Sequence, residues 1–108
     1  MEPNNLKVIR DFWAVPAVTM SRLCGFGVNQ WRDYEAGKAE PNKSNGILIH
    51  MVANPYVFRA LLKVLPEDER LRMGKRYDKL ILKADSVCKT IDQKAEQAKQ
   101  NMAMNWCR

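Results

Sequence analysis

Histidine and cysteine are too scarce in this 108-residue chain to build the common metal and redox sites. His50 is the one histidine, and a lone histidine is most often a helix-surface or partly packed group. Cys24, Cys88 and Cys107 are odd in number and lack short metal-type spacing, which argues for reduced thiols over a zinc site or a disulfide framework. No apolar run approaches the roughly 20 residues that cross a membrane, and no charged segment with an apolar stretch behind it opens the chain. A cytoplasmic protein with no membrane partner is therefore expected. There is no glycine-rich phosphate loop, no paired-histidine motif, and no serine or cysteine in a nucleophile context. An enzyme is not expected, nor is a cofactor or metal.

What is present in excess is positive charge, a net +6, and its distribution is uneven. Residues 1 to 54 carry six Lys or Arg against five Asp or Glu, whereas residues 55 to 108 carry twelve against seven. A basic total invites a nucleic-acid reading, but the excess lies in the second half, where a solvated helix surface explains it equally well.

Apolar spacing predicts helices almost everywhere and no strand. The first runs from about Asn5 to Trp13, with Leu6, Ile9 and Phe12 or Trp13 inward. Pro16 suits the first position of a second helix, in which Met20 and Leu23 form the buried face ending at Gly25. A third covers about Val28 to Ala36. A fourth covers Ser44 to Ala53, with Ser44 as its cap and Ile47, Leu48, Met51 and Val52 apolar, before Asn54-Pro55 breaks it. A fifth, Tyr56 to about Val64, offers Val57, Phe58, Leu61 and Leu62 to the core.

The run from Gly25 to Gly37 has the layout of a tight turn, one short helix and a glycine stop. Gly25 tolerates the positive φ that ends one helix, and Gly27 lets the next begin without a Cβ clash. Trp31 and Tyr34 lie three apart and share a core-facing side, which leaves Val28, Asn29, Arg32 and Asp33 on other faces. Gly37 stops the helix, and Pro41 follows.

These residues resemble the lambda-repressor-like (XRE, Cro and cI) helix-turn-helix family, over the first 65 or so positions. The resemblance rests on Ile9-Arg10, Met20 and Leu23 before Gly25, then Trp31, Tyr34-Glu35, Gly37-Lys38 and Pro41. The stretch Gly25 to Glu35, with Asn45, Asn54-Pro55 and Phe58, is most similar to the helix-turn-helix half of MqsA-type antitoxins. No Cys-x-x-Cys pair precedes it, so the zinc-binding half of those proteins has no counterpart here. The resemblance implies that the third helix enters the DNA major groove while the second crosses the backbone. By position, Val28, Asn29 and Asp33 would lie nearest base edges, with Gln30 and Arg32 at the helix flank. Asn29 can pair bidentately with adenine, Val28 can touch a thymine methyl, and Asp33 can accept from a cytosine amino group. Thr19, Ser21, Lys38 and Lys43 would hold phosphates. The bland readings are that Asn29 caps or solvates the helix and that Arg32 pairs with an acidic neighbour. Arg10 and Glu35 match positions that form a partly buried ion pair between helices 1 and 3 in related repressors, and Trp31 is read as core.

The remaining third departs from a minimal repressor domain. Leu65-Pro66-Glu67-Asp68-Glu69 is a helix start, with three acids beside the positive end of the dipole. Met73, Tyr77, Leu80, Ala84, Val87 and Ile91 then recur in steps of four and three, a heptad seam. A helix over residues 66 to 92 would span about 40 Å. The seam is therefore read as a dimerisation face for a second copy, with docking back along its own domain as the alternative. Gly74 marks a bend, Arg72, Arg76, Lys79 and Lys83 lie beside the seam, and Gln93 to Gln100 is read as fraying. Met102, Met104 and Trp106 form a small apolar cluster.

The expectation is thus an all-α protein. A five-helix lambda-repressor-like domain at 1–65 is followed by a helical extension at 66–108. It would be a dimeric regulator reading a palindromic operator in double-stranded DNA, with a toxin protein as a further partner if it is an antitoxin. The alternative is a helical protein-interaction module without sequence-specific DNA binding.

Overall fold

The computed structural model describes residues 3–106, with side-chain surroundings from residue 5 to residue 102. Seven helices follow in order among the described residues: α1 (Pro3–Trp13), α2 (Ala17–Leu23), α3 (Gln30–Glu35), α4 (Lys43–Val52), α5 (Pro55–Lys63), α6 (Glu67–Met73) and α7 (Lys75–Trp106). None of them is long and apolar enough to cross a membrane. Met104, Trp106 and Cys107 of the sequence reading have side chains outside those described.

One core unites the helices. Leu6 and Trp13 from α1, Met20 from α2, Trp31 from α3, Ile49 and Val52 from α4, and Phe58 and Leu62 from α5 are all buried. The Trp13 indole lies flat on the Phe58 ring, with centroids 4.0 Å apart and an interplanar angle of 4°. Phe12, the other candidate at the end of α1, is exposed. In α4 the inward pair is Ile49 and Val52, while Ile47 and Met51 face out, so the buried stripe differs from the apolar set predicted. Its cap is also not Ser44. Asn42 lies outside the helix with extended backbone, and its Oδ1 accepts the Asn45 N–H at 2.8 Å. Asn54 caps α5 likewise, accepting the Tyr56 N–H at 2.8 Å, with Pro55 as the first helical residue. Pro16 flanks α2 as its cap instead of opening its first turn.

The predicted single helix after Pro66 is two. Gly74 takes φ +61° and ψ −134°, outside any helical region, and separates α6 from α7. Most of the seam docks back along its own domain, the alternative left open by the spacing. Leu80 and Ala84 are buried in the same core as α1 to α5, and Met73, Tyr77 and Val87 pack against it. The packing of α5 on α7 is the most extensive between any two helices. The reason lies in α5, whose Phe58 and Leu62 face would otherwise meet water, at about 1.5 to 3 kcal/mol for each large side chain. Polar groups fix the register. The Tyr77 hydroxyl donates to the Leu62 carbonyl at 2.8 Å, the Tyr56 hydroxyl donates to the Cys88 carbonyl at 3.3 Å and also bonds Asp92, and Arg59 pairs with Asp85 at 3.4 Å. Of the six seam residues only Ile91 is exposed, and at 38 % it is still more than half covered.

Beyond Cys88 every described side chain of α7 is exposed, yet the helix continues to Trp106 instead of fraying. Lys, Glu, Gln and Ala are strong helix formers, and the Gln97 amide donates to Asn101 one turn on, at 3.2 Å.

Cys24 and Cys88 are free and buried. Burial pushes the Cys24 thiol from 9.0 up to about 12. The unfolded chain therefore loses this proton at lower pH than the native one, so the contribution is intact below pH 9.0 and is lost as pH rises towards about 12. Compared with Cys24→Ala, the wild type should show an extra fall in unfolding free energy of up to about 1.4 kcal/mol per pH unit in that window, read from urea melts. Parallel pH profiles would rule out a buried thiol at this position.

Candidate functional site

The turn between α2 and α3 is built by backbone groups and two side chains. Gly25 carries φ +73°, a conformation that costs a residue with a Cβ roughly 1 to 2 kcal/mol. The reversed chain returns the Phe26 N–H to the Ser21 carbonyl at 2.7 Å. Ser21 is fully buried, and its hydroxyl oxygen accepts the Trp31 N–H at 2.9 Å, one of the first-turn donors that a helix leaves unpaired. The Gln30 side-chain oxygen accepts the Gly27 N–H at 2.8 Å, while the Gln30 N–H donates to the Gly27 carbonyl at 3.0 Å. These two bonds between Gly27 and Gln30 close the turn that leads into α3. A Cβ on Gly27 would meet only the Gln30 side chain, 3.7 Å away, so this glycine is not required for clearance.

The far end of α3 is held by charge. Arg10 Nε donates to Glu35 Oε2 at 3.0 Å and Oε1 at 3.2 Å, and Nη2 donates to Oε1 at 3.0 Å. The side chains are 26 % and 13 % exposed, so the fork is largely shielded from water. The hydrogen bond to Glu35 raises the Arg10 pKa against the opposing effect of burial. On the inner side of α3, Trp31 and Tyr34 are buried as predicted. The Phe26 ring meets Tyr34 edge-on at 5.9 Å, and the Asn45 amide donates to the Tyr34 hydroxyl oxygen at 3.0 Å, tying α3 to α4.

The outer side carries the residues predicted to read bases. Val28, Asn29 and Arg32 are exposed and Asp33 is half-buried. Val28 and Asn29 lie in the turn that leads into α3, since the helix begins at Gln30 and not at about Val28 as predicted, whereas Arg32 and Asp33 stand on α3 itself, away from the Trp31 and Tyr34 side. Ala36, the exposed C-cap of α3 one turn beyond Arg32, lies beside them; as part of the helix stop it gave no polar signal in the sequence. Asn29 does not cap α3 with its side chain. Among the described residues, the side chains of Asn29, Arg32 and Asp33 make no hydrogen bond or ion pair, so Asn29 is not a cap and Arg32 has no acidic partner, while a solvated Asn29 remains consistent with its exposure. Gln30 differs: its oxygen is committed to the turn, and only its amide nitrogen remains available.

The candidate phosphate ligands divide. Lys38 and Lys43 are exposed on either side of the link between α3 and α4. Ser21 cannot reach a phosphate, because its hydroxyl is buried under Trp31. Thr19 is half-buried and lines the clefts between α2 and the α6–α7 region. His50 is exposed on α4. Among the described residues, no group of three His, Cys, Asp or Glu side chains is placed to hold a metal ion.

Comparison with known proteins gives no match to a protein-family model, a curated protein or a solved structure.

Two substitutions test how α3 is held. Glu35→Ala leaves Arg10 shielded and unpaired, and should lower the unfolding free energy by about 3 kcal/mol in denaturant melts. Ser21→Ala orphans the Trp31 N–H and should cost about 1 to 3 kcal/mol, with the loss of protection at that amide visible by hydrogen exchange. An unchanged melt for either would remove that clamp from the account.

Proposed function

We propose that this chain is a sequence-specific, double-stranded DNA-binding regulator of the lambda-repressor-like kind, in which α2, the Gly25 turn and α3 form the helix-turn-helix. The observation that carries this reading is the outer face of α3. Arg32 and Asp33 on α3, with Val28 and Asn29 in the turn that leads into it, are presented without partners, while the other side of the helix is locked by Trp31, Tyr34 and Glu35. A helix with its side chains is about 10 to 12 Å across, which matches a major groove about 12 Å wide. Asn29 and Arg32 are the groups suited to bidentate contacts with adenine and guanine, and Lys38 and Lys43 supply charge to the backbone.

The reading includes a homodimer on a palindromic operator, with half-sites about 34 Å apart. Since Leu80 and Ala84 of the seam are covered by their own domain, the second copy is assigned to the projecting half of α7, where Ile91 is 38 % and Met102 61 % exposed.

Selection of bound duplexes from a random library tests the proposal. The wild type should enrich one palindromic motif. Asn29→Ala and Arg32→Ala should each relax a position in every half-site and weaken binding by about 1 to 3 kcal/mol. Lys38→Ala and Lys43→Ala should weaken all sequences alike and each reduce the salt slope by about 1. A wild type that enriches no motif, or variants that retain it in full, would leave the helical protein-interaction module as the better description.

A further inference from the structure

A groove on the flank of the domain combines features that α3 does not use. It lies between the end of α1 and start of α2 on one side and α6–α7 on the other, with a volume of about 380 Å³. Trp13, Val15, Pro16, Met73 and Leu80 give it apolar walls, and Arg76, Lys79 and Lys83 are the charged residues that line it. Among the described residues no carboxylate does so. Lys83 is already engaged, since its ammonium donates to the Phe12 carbonyl and lies 5.3 Å and 5.8 Å from the Phe12 and Trp13 ring centroids. Arg76 and Lys79 are exposed and form no ion pair among the described residues. A smaller cleft of about 230 Å³ adjoins it through Thr19, Met73 and Arg76. The acid lining that cleft, Glu69, is held by Arg22 at 3.4 Å, so it does not neutralise the groove.

We infer that this groove binds a small organic carboxylate with an apolar body, the body lying along Trp13, Val15, Pro16, Met73 and Leu80 and the carboxylate meeting Arg76 and Lys79. Charge complementarity selects the class. Neutral apolar molecules would leave both cations without a counter-charge, and an inorganic anion would leave the apolar walls bare. The volume falls within the range of about 300 to 1,000 Å³ usual for small-molecule sites. Arg76 and Lys79, three residues apart on α7 and both lining the groove, offer a fork and a point charge to a carboxylate. The inference does not rest on DNA binding, because its ligand and its readout are separate from α3.

Calorimetric titration of the full chain with straight-chain carboxylates provides the test. Decanoate should bind at one site per chain, with affinity rising roughly fourfold per methylene from hexanoate upward. Decanol should bind at least about tenfold more weakly, which isolates the charge contribution. The double variant Arg76→Ala, Lys79→Ala should remove that preference while leaving decanol binding and the melting temperature unchanged. Thr19→Trp, which partly fills the groove, should weaken both ligands. Equal affinity for decanoate and decanol, unsaturable uptake, or a double variant that binds decanoate as the wild type does would overturn the proposal. So would the absence of decanoate binding together with weakened duplex binding by the double variant, since the two cations would then be phosphate contacts.

Discussion

A helix of six residues cannot hold itself in water, because nucleating it fixes more dihedrals than its few hydrogen bonds repay. Everything the outer surface of α3 presents therefore depends on how its two ends are tied. At one end the buried Ser21 hydroxyl takes the Trp31 N–H, and at the other the Arg10 guanidinium takes Glu35 in a shielded fork. Between them Trp31 and Tyr34 anchor the inner face, and Asn45 reaches the Tyr34 hydroxyl from α4. Three neighbouring helices thus fix the direction of one short one. The same restraint lets Asn29, Arg32 and Asp33 remain unpartnered without α3 losing its orientation.

The second dependence runs through α5. Phe58 stacks on Trp13 and, with Leu62, sits where α1 and α7 both close over it. Leu80 and Ala84 belong to this core as fully as Leu6 or Val52 does. The folded unit therefore does not end near residue 65, where the sequence suggests a boundary, but continues along α7 to about Cys88. Tyr77, Tyr56 and Arg59 add directional bonds to that packing, which apolar contact alone does not supply.

Much of this architecture was legible from residue spacing, and the exceptions have physical causes. Gly25 and Gly37 declared their positive φ, Asn54-Pro55 declared a helix boundary, and the Trp31 and Tyr34 pair declared an inner face. The Arg10 and Glu35 pairing came from family resemblance, since nothing in local spacing joins residues 25 apart. The heptad seam fits a face for another chain as well as one for its own domain, because periodicity reports that a stripe must be covered and not what covers it. Ser21 is ambiguous for a related reason: a serine signals polarity, and only the fold reveals that the group it serves is a buried N–H. The Asn42 cap is hidden in the sequence because Ser44 offers an equally good residue type two positions later. The groove beside α2 was invisible to sequence, since its walls come from three separated segments.

The projecting half of α7 gives the molecule a radius of gyration of 16.7 Å, against about 13 Å for a compact chain of this size. Because the projecting half continues the helix that Ala84 and Cys88 seat in the core, its angular phase is set there and carried outward without a joint. Removing one residue just beyond Cys88 would turn the tip by about 100° and draw it in by about 1.5 Å, leaving the core untouched. The direction in which the tip points is thus encoded by the number of residues between core and tip as much as by their identity.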